Sequence, residues 1–299
     1  SAAQRKITEI YSGLLAAPAR RLKKWLAKVG NRNAKGEYYL TDVVALAVKD
    51  KVKVAAVSAA SADEVEGVND RAQLARIERA YQQAAAQRLM REGLHIADPA
   101  RFDLRGTLRH GRDCRIDVGV IVEGDCELGD DVSIGPYTVL RSARLGSGTR
   151  VDAHCVIDFA DAGRNCIIGP YARLRPESRL GDGVHIGNFV ELKKTTMGDG
   201  AKANHLAYLG DAEIGARSNI GAGVITCNYD GAHKHKTTVG ADAFVGTDSQ
   251  LIAPVTVGDR AYIAAGSTIS RDAPADALTI CRAREQRVIP GWKRPQKKK

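Results

Sequence analysis

The stretch IIGPYARLRPESRLGDGVHIGNFVEL, residues 167–192, places Ile168, Leu174, Leu180, Ile186 and Leu192 six positions apart. The rhythm runs outward in both directions. It starts at Ile116 and passes through Val122, Leu128, Ile134 and Leu140, then, with an occasional five-residue step, through Leu145, Val151, Ile157 and Ala162. Beyond Leu192 it continues at Met197, Ala203, Leu209, Ile214 and Ile220, and after a gap at Val239, Val245, Leu251, Val257, Ile263 and Ile269. Of these 25 positions, 23 hold a large aliphatic residue or Met and 14 are followed at once by Gly, far more than 30 glycines in 299 residues would place there at random.

A period of six matches neither a helix at 3.6 nor the two-residue alternation of a single strand. It matches a β-solenoid in which each hexad is a short strand plus a corner. The aliphatic residue points into the coil, and the Gly after it is expected to supply the φ of a tight corner. Three hexads make one triangular coil, so the array predicts roughly eight coils stacked at about 4.8 Å, a prism about 40 Å long. The aromatic content of 5% is consistent with an interior too narrow for rings.

Residues 1–68 read as part of an α/β layer, with a helix over 18–29 carrying Leu22, Trp25, Leu26 and Val29, a second helix begun near Thr41 and Asp42, and a valine-rich strand over 52–57. A connector helix is expected over 69–93, with Leu74, Ile77, Tyr81, Ala84 and Leu89 on one stripe and Gly93 just past its end. The solenoid domain is expected over 100–280 and a basic tail over 281–299.

The net charge of +10 suggests nucleic acid until it is located, because +7 of it lies between Arg282 and Lys299. Only Trp292 interrupts that tail, whereas single-strand binders interleave aromatic rings with their cations, so no nucleic-acid partner is expected. No apolar run reaches the length of a membrane span and the first residues lack the apolar core of a secretory signal, so membrane insertion is not expected and a cytoplasmic protein is. The six cysteines have no ligand-like spacing, which excludes a zinc site and a disulfide framework as readings. The rhythm breaks once, where CNYDGAHKHK (Cys227 to Lys236) must leave the core, and such excursions are where solenoids carry function.

The hexad array together with RFDLRGTLRHG (101–111), GPYARLRP (169–176), GNFVELKK (187–194), HLAYLGDAEIG (205–215), NIGAGVITCNYDG (219–231) and GWKRPQKKK (291–299) closely resembles the bacterial bifunctional enzymes that make UDP-N-acetylglucosamine. Those enzymes join a uridyltransferase to a left-handed parallel β-helix acetyltransferase. The resemblance implies a homotrimer that transfers acetyl from acetyl-CoA to the 2-amino group of glucosamine 1-phosphate, without a metal. Residues 1–68, with GEYYLTD (36–42) and EVEGVND (64–70), resemble the end of the uridyltransferase domain, and Asn69 matches a magnesium ligand of that activity. The glycine-rich nucleotide loop and the partner aspartate are not found, and EIYSG (9–13) stands where the family usually has EINTG or EVNTG, so uridyl transfer is not expected of this chain.

Carried over residue by residue, the resemblance makes His205 the catalytic base and places Arg175, Lys193, Tyr208, Asn219 and Lys234 in the sugar-phosphate site. It places Ala222, Asn228, Tyr229, Thr247, Ala265 and Arg282 against acetyl-CoA, with Thr247 where the family usually has Ser. The residues themselves support part of this. His205 stands two positions past the inward Ala203 and is expected to face outward, whereas His95, His110, His154 and His185 are read as solvated surface histidines. Arg175 and Lys193 each follow an inward Leu one coil apart, and two cations stacked at about 5 Å call for an anion between them. Ala264, Ala265 and Gly266 leave a groove in which a pantetheine arm fits. Two rival readings are a γ-type carbonic anhydrase, for which His205 lacks a second nearby histidine, and a non-catalytic trimeric scaffold or polyanion-binding module.

Overall fold

The structure is a computed structural model that describes residues 11–282 together with Lys6, Glu9 and Pro290. The tail and its GWKRPQKKK string therefore lie outside the described residues, apart from Cys281, Arg282 and Pro290. The chain forms two compact units, residues 1–80 and 81–299.

In the first unit, helix α1 (Ala19–Leu26) and helix α2 (Asp42–Lys49) close on Trp25, Val43 and Ala47, and the Trp25 indole donates to Asp50 at 2.8 Å. Leu26, expected on the buried stripe, is exposed. The strand expected over 52–57 is absent, because its backbone finds no partner strand among the described residues of this unit, and Val54 and Val57 face solvent. Helix α3 (Arg71–Arg91) ends as expected at Gly93, with φ at 107° and the Leu94 N–H bonded to the Leu89 carbonyl. Its buried residues are Gln82, Ala85, Ala86 and Leu89, whereas Leu74 and Tyr81 of the expected stripe are exposed. Gln82 explains the shift of face. Its amide donates to the Leu104 carbonyl at 3.1 Å and accepts from the Leu104 N–H at 2.6 Å, which satisfies the open edge of the first coil.

The second unit is the expected fold, a left-handed parallel β-helix. Its three faces carry three inward ladders. The first includes Ile116, Ile134, Val151, Ile168, Ile186, Ala203, Ile220, Val245 and Ile263 in continuous parallel register. The second runs from Val122 through Leu140, Ile157, Leu174 and Leu192 to Leu209, and the third from Leu128 through Leu145, Ala162, Leu180, Met197 and Ile214 to Val239 and Val257. All of the hexad positions are buried. The gap in the rhythm is filled by Thr226, which is buried opposite Leu251 and bonds through its hydroxyl to the Gly210 N–H and carbonyl.

The solenoid is longer than the expected eight coils. The first face has eleven strands, from His95–Ile96 to Leu278–Thr279, and the whole makes about ten turns. The terminal coils escape the pattern because Ile96 is followed by Ala97 and Thr279 by Ile280, so the Gly mark is missing.

The glycines act differently from the expectation. Of the fourteen that follow an inward residue, only Gly169 has positive φ. The left-handed corner is taken instead by residues such as Asp113, Asp131, Tyr137, Ser142 and Asn165. At twelve of the fourteen a Cβ would strike the backbone of the next coil, as at Gly146, where it would lie 2.6 Å from the Gly163 carbonyl carbon, whereas at Gly210 it would meet the Tyr208 and Asn228 side chains and at Gly169 the Cys155 sulfur.

Four cysteines, Cys114, Cys126, Cys155 and Cys166, fill the small inner layer two positions before an inward residue, and all are free. Burial pushes their thiols up, that of Cys155 to about 11, so they stay neutral. Outside, Tyr137, His154, Tyr171 and Phe189 stack along one corner with ring centroids 5.3, 4.9 and 5.4 Å apart. His154 is thus exposed, as expected, and stacked between two tyrosines as well. His185 is half-buried, and burial, then the charges of Lys202 and Arg150, lower its pKa.

Replacing Gly146 by Ala is expected to lower stability by about 1–3 kcal/mol, the usual cost of overpacking. Gly183, at φ 67° with open space around it, is expected to accept Asn with a far smaller loss. Urea unfolding midpoints at constant slope measure both.

Candidate functional site

The coil register sorts the candidate residues into columns. On the first face Asn188 lies opposite His205 and Ala203 opposite Ile220, followed by Val245 and Ile263. Two residues past each inward member, the same corner therefore carries Asn188, His205, Ala222, Thr247 and Ala265 on successive coils. Backbone bonds between coils hold this corner: Leu206 N–H to Asn188, Gly223 N–H to Leu206, Asp248 N–H to Ala222 at 2.7 Å and Gly266 N–H to Thr247 at 2.8 Å. Gly221 and Gly246 let the coils close, since a Cβ would lie 2.6 Å from the Thr247 nitrogen and 2.5 Å from the Ala265 nitrogen.

Within this column His205 is exposed, as expected, and its Nδ1 lies 2.9 Å from the side-chain oxygen of Asn188. With an acceptor at Nδ1 the ring carries its proton there and presents the Nε2 lone pair outward, the arrangement a general base requires. Thr247 and Ala265 are exposed on the next coils, and the Arg282 side chain reaches the end of the column, its Cδ near the open face of Gly266. The hexad count carried the signal for this alignment, because Ala222, Thr247 and Ala265 share the offset of His205.

A second column follows the second face. Arg175 and Lys193 stack one coil apart, with the Arg175 N–H bonded to the Leu192 carbonyl. The anion their repulsion calls for is supplied within the chain, and separately for each. Arg175 Nη1 donates to Glu191 Oε1 at 2.9 Å, and Lys193 Nζ donates to both oxygens of Asp211 at 3.0 and 2.9 Å. Burial pushes the Asp211 carboxyl up, but the hydrogen bonds from Lys193 and Asn228 and the charges of Lys193 and Lys194 outweigh it and hold the group below the ordinary carboxylate value. Tyr208 stands opposite Glu191, and its hydroxyl passes over Gly210, where a Cβ would be 2.5 Å from that oxygen and 2.7 Å from the Asn228 amide nitrogen.

The excursion supplies the third group. Asp230 accepts from the backbone of Ala232 and His233 at 2.7 Å and from His235 Nε2 at 2.6 Å, which folds the loop back so that Lys234 Nζ sits 4.0 Å above the Tyr229 ring. Those bonds, led by the one from His233, hold the Asp230 carboxyl well below the usual carboxylate range.

Asn219 lies apart, on the first face between Lys202 and Phe244. Among the described residues no hydrogen bond or ring contact joins the His205 column to the Arg175–Lys193 corner, to Lys234 or to Asn219 within one chain. Asn188, Glu191 and Asp211 are additions that the sequence reading lacked. Asn69 is exposed at the start of α3, its N–H bonded to Gln73, and no metal-ligating group of three surrounds it among the described residues. Among the described residues, then, those around Asn69 do not make up a magnesium site.

The parallel β-helix of hexads places the second unit among hexapeptide-repeat solenoids, and residues 108–142, 163–194 and 236–271 match the bacterial transferase hexapeptide (six repeats) family. The chain is 59% identical over 295 residues to the bifunctional protein GlmU of Alkalilimnicola ehrlichii, covering 99% of this chain and 64% of that protein. It is 54% identical to GlmU of Aromatoleum aromaticum over 100% of this chain and 66% of that protein, and 56% identical to GlmU of Acinetobacter baumannii over 99% and 65%. Over nearly its whole length the chain is thus similar to proteins of the GlmU family, and it spans between 64% and 66% of the length of these relatives.

The Asn188 bond gives a test independent of any reaction. Nitrogen-15 NMR of the histidines is expected to find His205 with its proton on Nδ1, and Asn188→Ala is expected to shift the ring toward the Nε2–H form that neutral imidazole adopts without such a partner. An unchanged tautomer would mean that Asn188 does not orient the ring.

Proposed function

We propose that this chain transfers acetyl from acetyl-CoA to the 2-amino group of glucosamine 1-phosphate, giving N-acetylglucosamine 1-phosphate for UDP-N-acetylglucosamine synthesis. The observation that carries the reading is the single corner column in which an outward His205, its Nδ1 against the Asn188 side chain, is followed by Ala222, Thr247 and Ala265. A base and a run of short side chains along one groove are what a thioester-bearing arm and an incoming amine need.

In this reading His205 Nε2 takes a proton from the substrate ammonium and the freed amine attacks the thioester carbonyl. The C–N bond forms, and the tetrahedral oxyanion is stabilised by N–H and hydroxyl donors of the column, among them Thr247. As it collapses the C–S bond breaks, the proton lost by the nitrogen going to the departing sulfur so that CoA leaves as the thiol while His205 returns its proton to water. Arg282 meets the CoA phosphates, and Asn228 and Tyr229 lie beside the reacting end. Arg175 and Lys193 read the sugar phosphate while Tyr208, Asn219 and Lys234 complete the sugar site. Because these groups do not converge within one chain, a homotrimer with sites between neighbouring solenoids is part of the proposal, with residues 100–280 as the acetyltransferase domain. A cytoplasmic setting, where acetyl-CoA is made, goes with it. Among the described residues no helix is long and apolar enough to cross a membrane.

The deciding experiment follows free thiol released from acetyl-CoA. Release is expected only when glucosamine 1-phosphate is present, and His205→Ala is expected to lower turnover by about a hundredfold to ten-thousandfold with the fold intact. Sugar-independent release, or none, would overturn the assignment.

A further inference from the structure

Resting on that acetyl-transfer reading, we propose that Asp211 is a positioning residue whose carboxylate ties Lys193 to Asn228 at the start of the 228–236 excursion, while its main-chain carbonyl holds the Thr237 end, so that one residue keeps the sugar-phosphate and acetyl-CoA sides in register.

The chain leaves the coil at Asn228 and returns at Thr237, and both ends are bonded to Asp211. The Asn228 amide donates to the Asp211 carboxylate, and the Thr237 N–H donates to the Asp211 carbonyl at 3.2 Å. The two strands of the excursion are then closed by the His235 N–H on the Asn228 carbonyl at 2.8 Å. Only 15% of the Asp211 side chain is exposed, so its charge requires a partner close by, and Lys193, itself 24% exposed, supplies it through two hydrogen bonds. Gly210 makes the junction sterically feasible, because the Tyr208 hydroxyl and the Asn228 amide occupy the space a side chain there would take.

The consequence concerns Lys193. Two of its three N–H groups are spent on Asp211, which leaves one for a substrate phosphate. Its larger role is to fix the carboxylate that fixes Asn228. Arg175 has no such reach, since its partner is Glu191. A substitution on the phosphate side should therefore be felt on the acetyl-CoA side when it is made at Lys193 and not when it is made at Arg175.

The test uses the full chain with Asp211→Asn, Asp211→Ala, Lys193→Met, Arg175→Met and the double variant Asp211→Ala/Lys193→Met. KM for each substrate, kcat, melting temperature and amide hydrogen exchange across 228–237 are measured. Lys193→Met is expected to raise KM for acetyl-CoA about tenfold as well as KM for glucosamine 1-phosphate, and Arg175→Met only the latter. The double variant is expected to be no worse for acetyl-CoA than Asp211→Ala alone, the non-additivity of residues acting as one unit. Asp211→Asn, which keeps an acceptor for Asn228, is expected to be milder than Asp211→Ala at an unchanged melting temperature. Additive losses, or an acetyl-CoA KM untouched by Lys193→Met, would overturn the proposal. If the unsubstituted chain transfers no acetyl, the reaction reading fails by itself. Hydrogen exchange then decides the tie, which is refuted if exchange across 228–237 is the same in Lys193→Met as in the parent.

Discussion

Successive coils of a parallel solenoid lie about 4.8 Å apart, and little in the second unit is free of that constraint. It forbids a Cβ after many inward residues, because the next backbone occupies the space, and so it selects Gly at twelve of the fourteen positions without asking for glycine's conformational range. The corners that do need left-handed φ are shared between side-chain-bearing residues such as Asp131, Tyr137 and His154 and a separate set of glycines such as Gly148, Gly183 and Gly200. The inner ladder and the outer chemistry are thus separated. Gly closes the coils while the corner residue one or two positions on remains free to carry a ring, a carboxylate or a base.

The same spacing makes every outward position the neighbour of its counterpart one coil away, and electrostatics must be solved rung by rung. Across the exposed corners this gives Arg164 with Asp182, Arg217 with Asp242 and Arg260 with Asp276, each guanidinium holding its carboxyl below the usual carboxylate value. Such solvated pairs contribute little to stability. The pairs at Arg175–Glu191 and Lys193–Asp211 follow the same rule at lower exposure, so the site has no unaccompanied stacked cations. A substrate phosphate would join an arrangement already neutral in pairs. In the proposed reading its binding would depend on the spare N–H groups and their direction more than on net positive charge.

The inner ladder was legible from one residue type at one spacing because burial of an aliphatic residue leaves a periodic trace. Thr226 shows where that trace fails: it occupies a ladder position, but as a hydroxyl bonded to the Gly210 backbone it does not read as core. The strand expected over 52–57 fails for the opposite reason, since a valine-rich segment becomes a strand only when another strand satisfies its backbone. In the site, His205 and the cation pair were visible one residue at a time. Asn188, Glu191 and Asp211 were not, because each acts on a residue 16 to 18 positions away and is recognised only once the coil length is laid over the chain. The glycine effect was visible as a pattern and misread in cause: a sequence records that Gly is required without recording whether φ or space requires it.

The geometry of a stacked column also bears on why the proposed reaction needs a second copy of the chain. A corner column is one-dimensional. It aligns His205 with Ala222, Thr247 and Ala265 but presents them outward, and a sugar bound there would keep most of its surface in water. Ligand sites ordinarily enclose most of the ligand, and the exclusion of water strengthens every charge and hydrogen bond within. The hollows lined by Glu92, His110 and Arg112 and by Arg115, Asp131 and Ser133 contain none of the candidate residues. Asn219 on its separate column, Lys234 on the excursion and the Arg175–Lys193 corner therefore serve one substrate only if the excursion of one solenoid closes over the corner of another. In the proposed assembly that requirement also gives a reason for anchoring the excursion at both ends to Asp211, at Asn228 through a carboxylate with its own counter-ion and at Thr237 through the main-chain carbonyl: a loop that walls a neighbour's site would have to hold its position before the neighbour's substrate arrives.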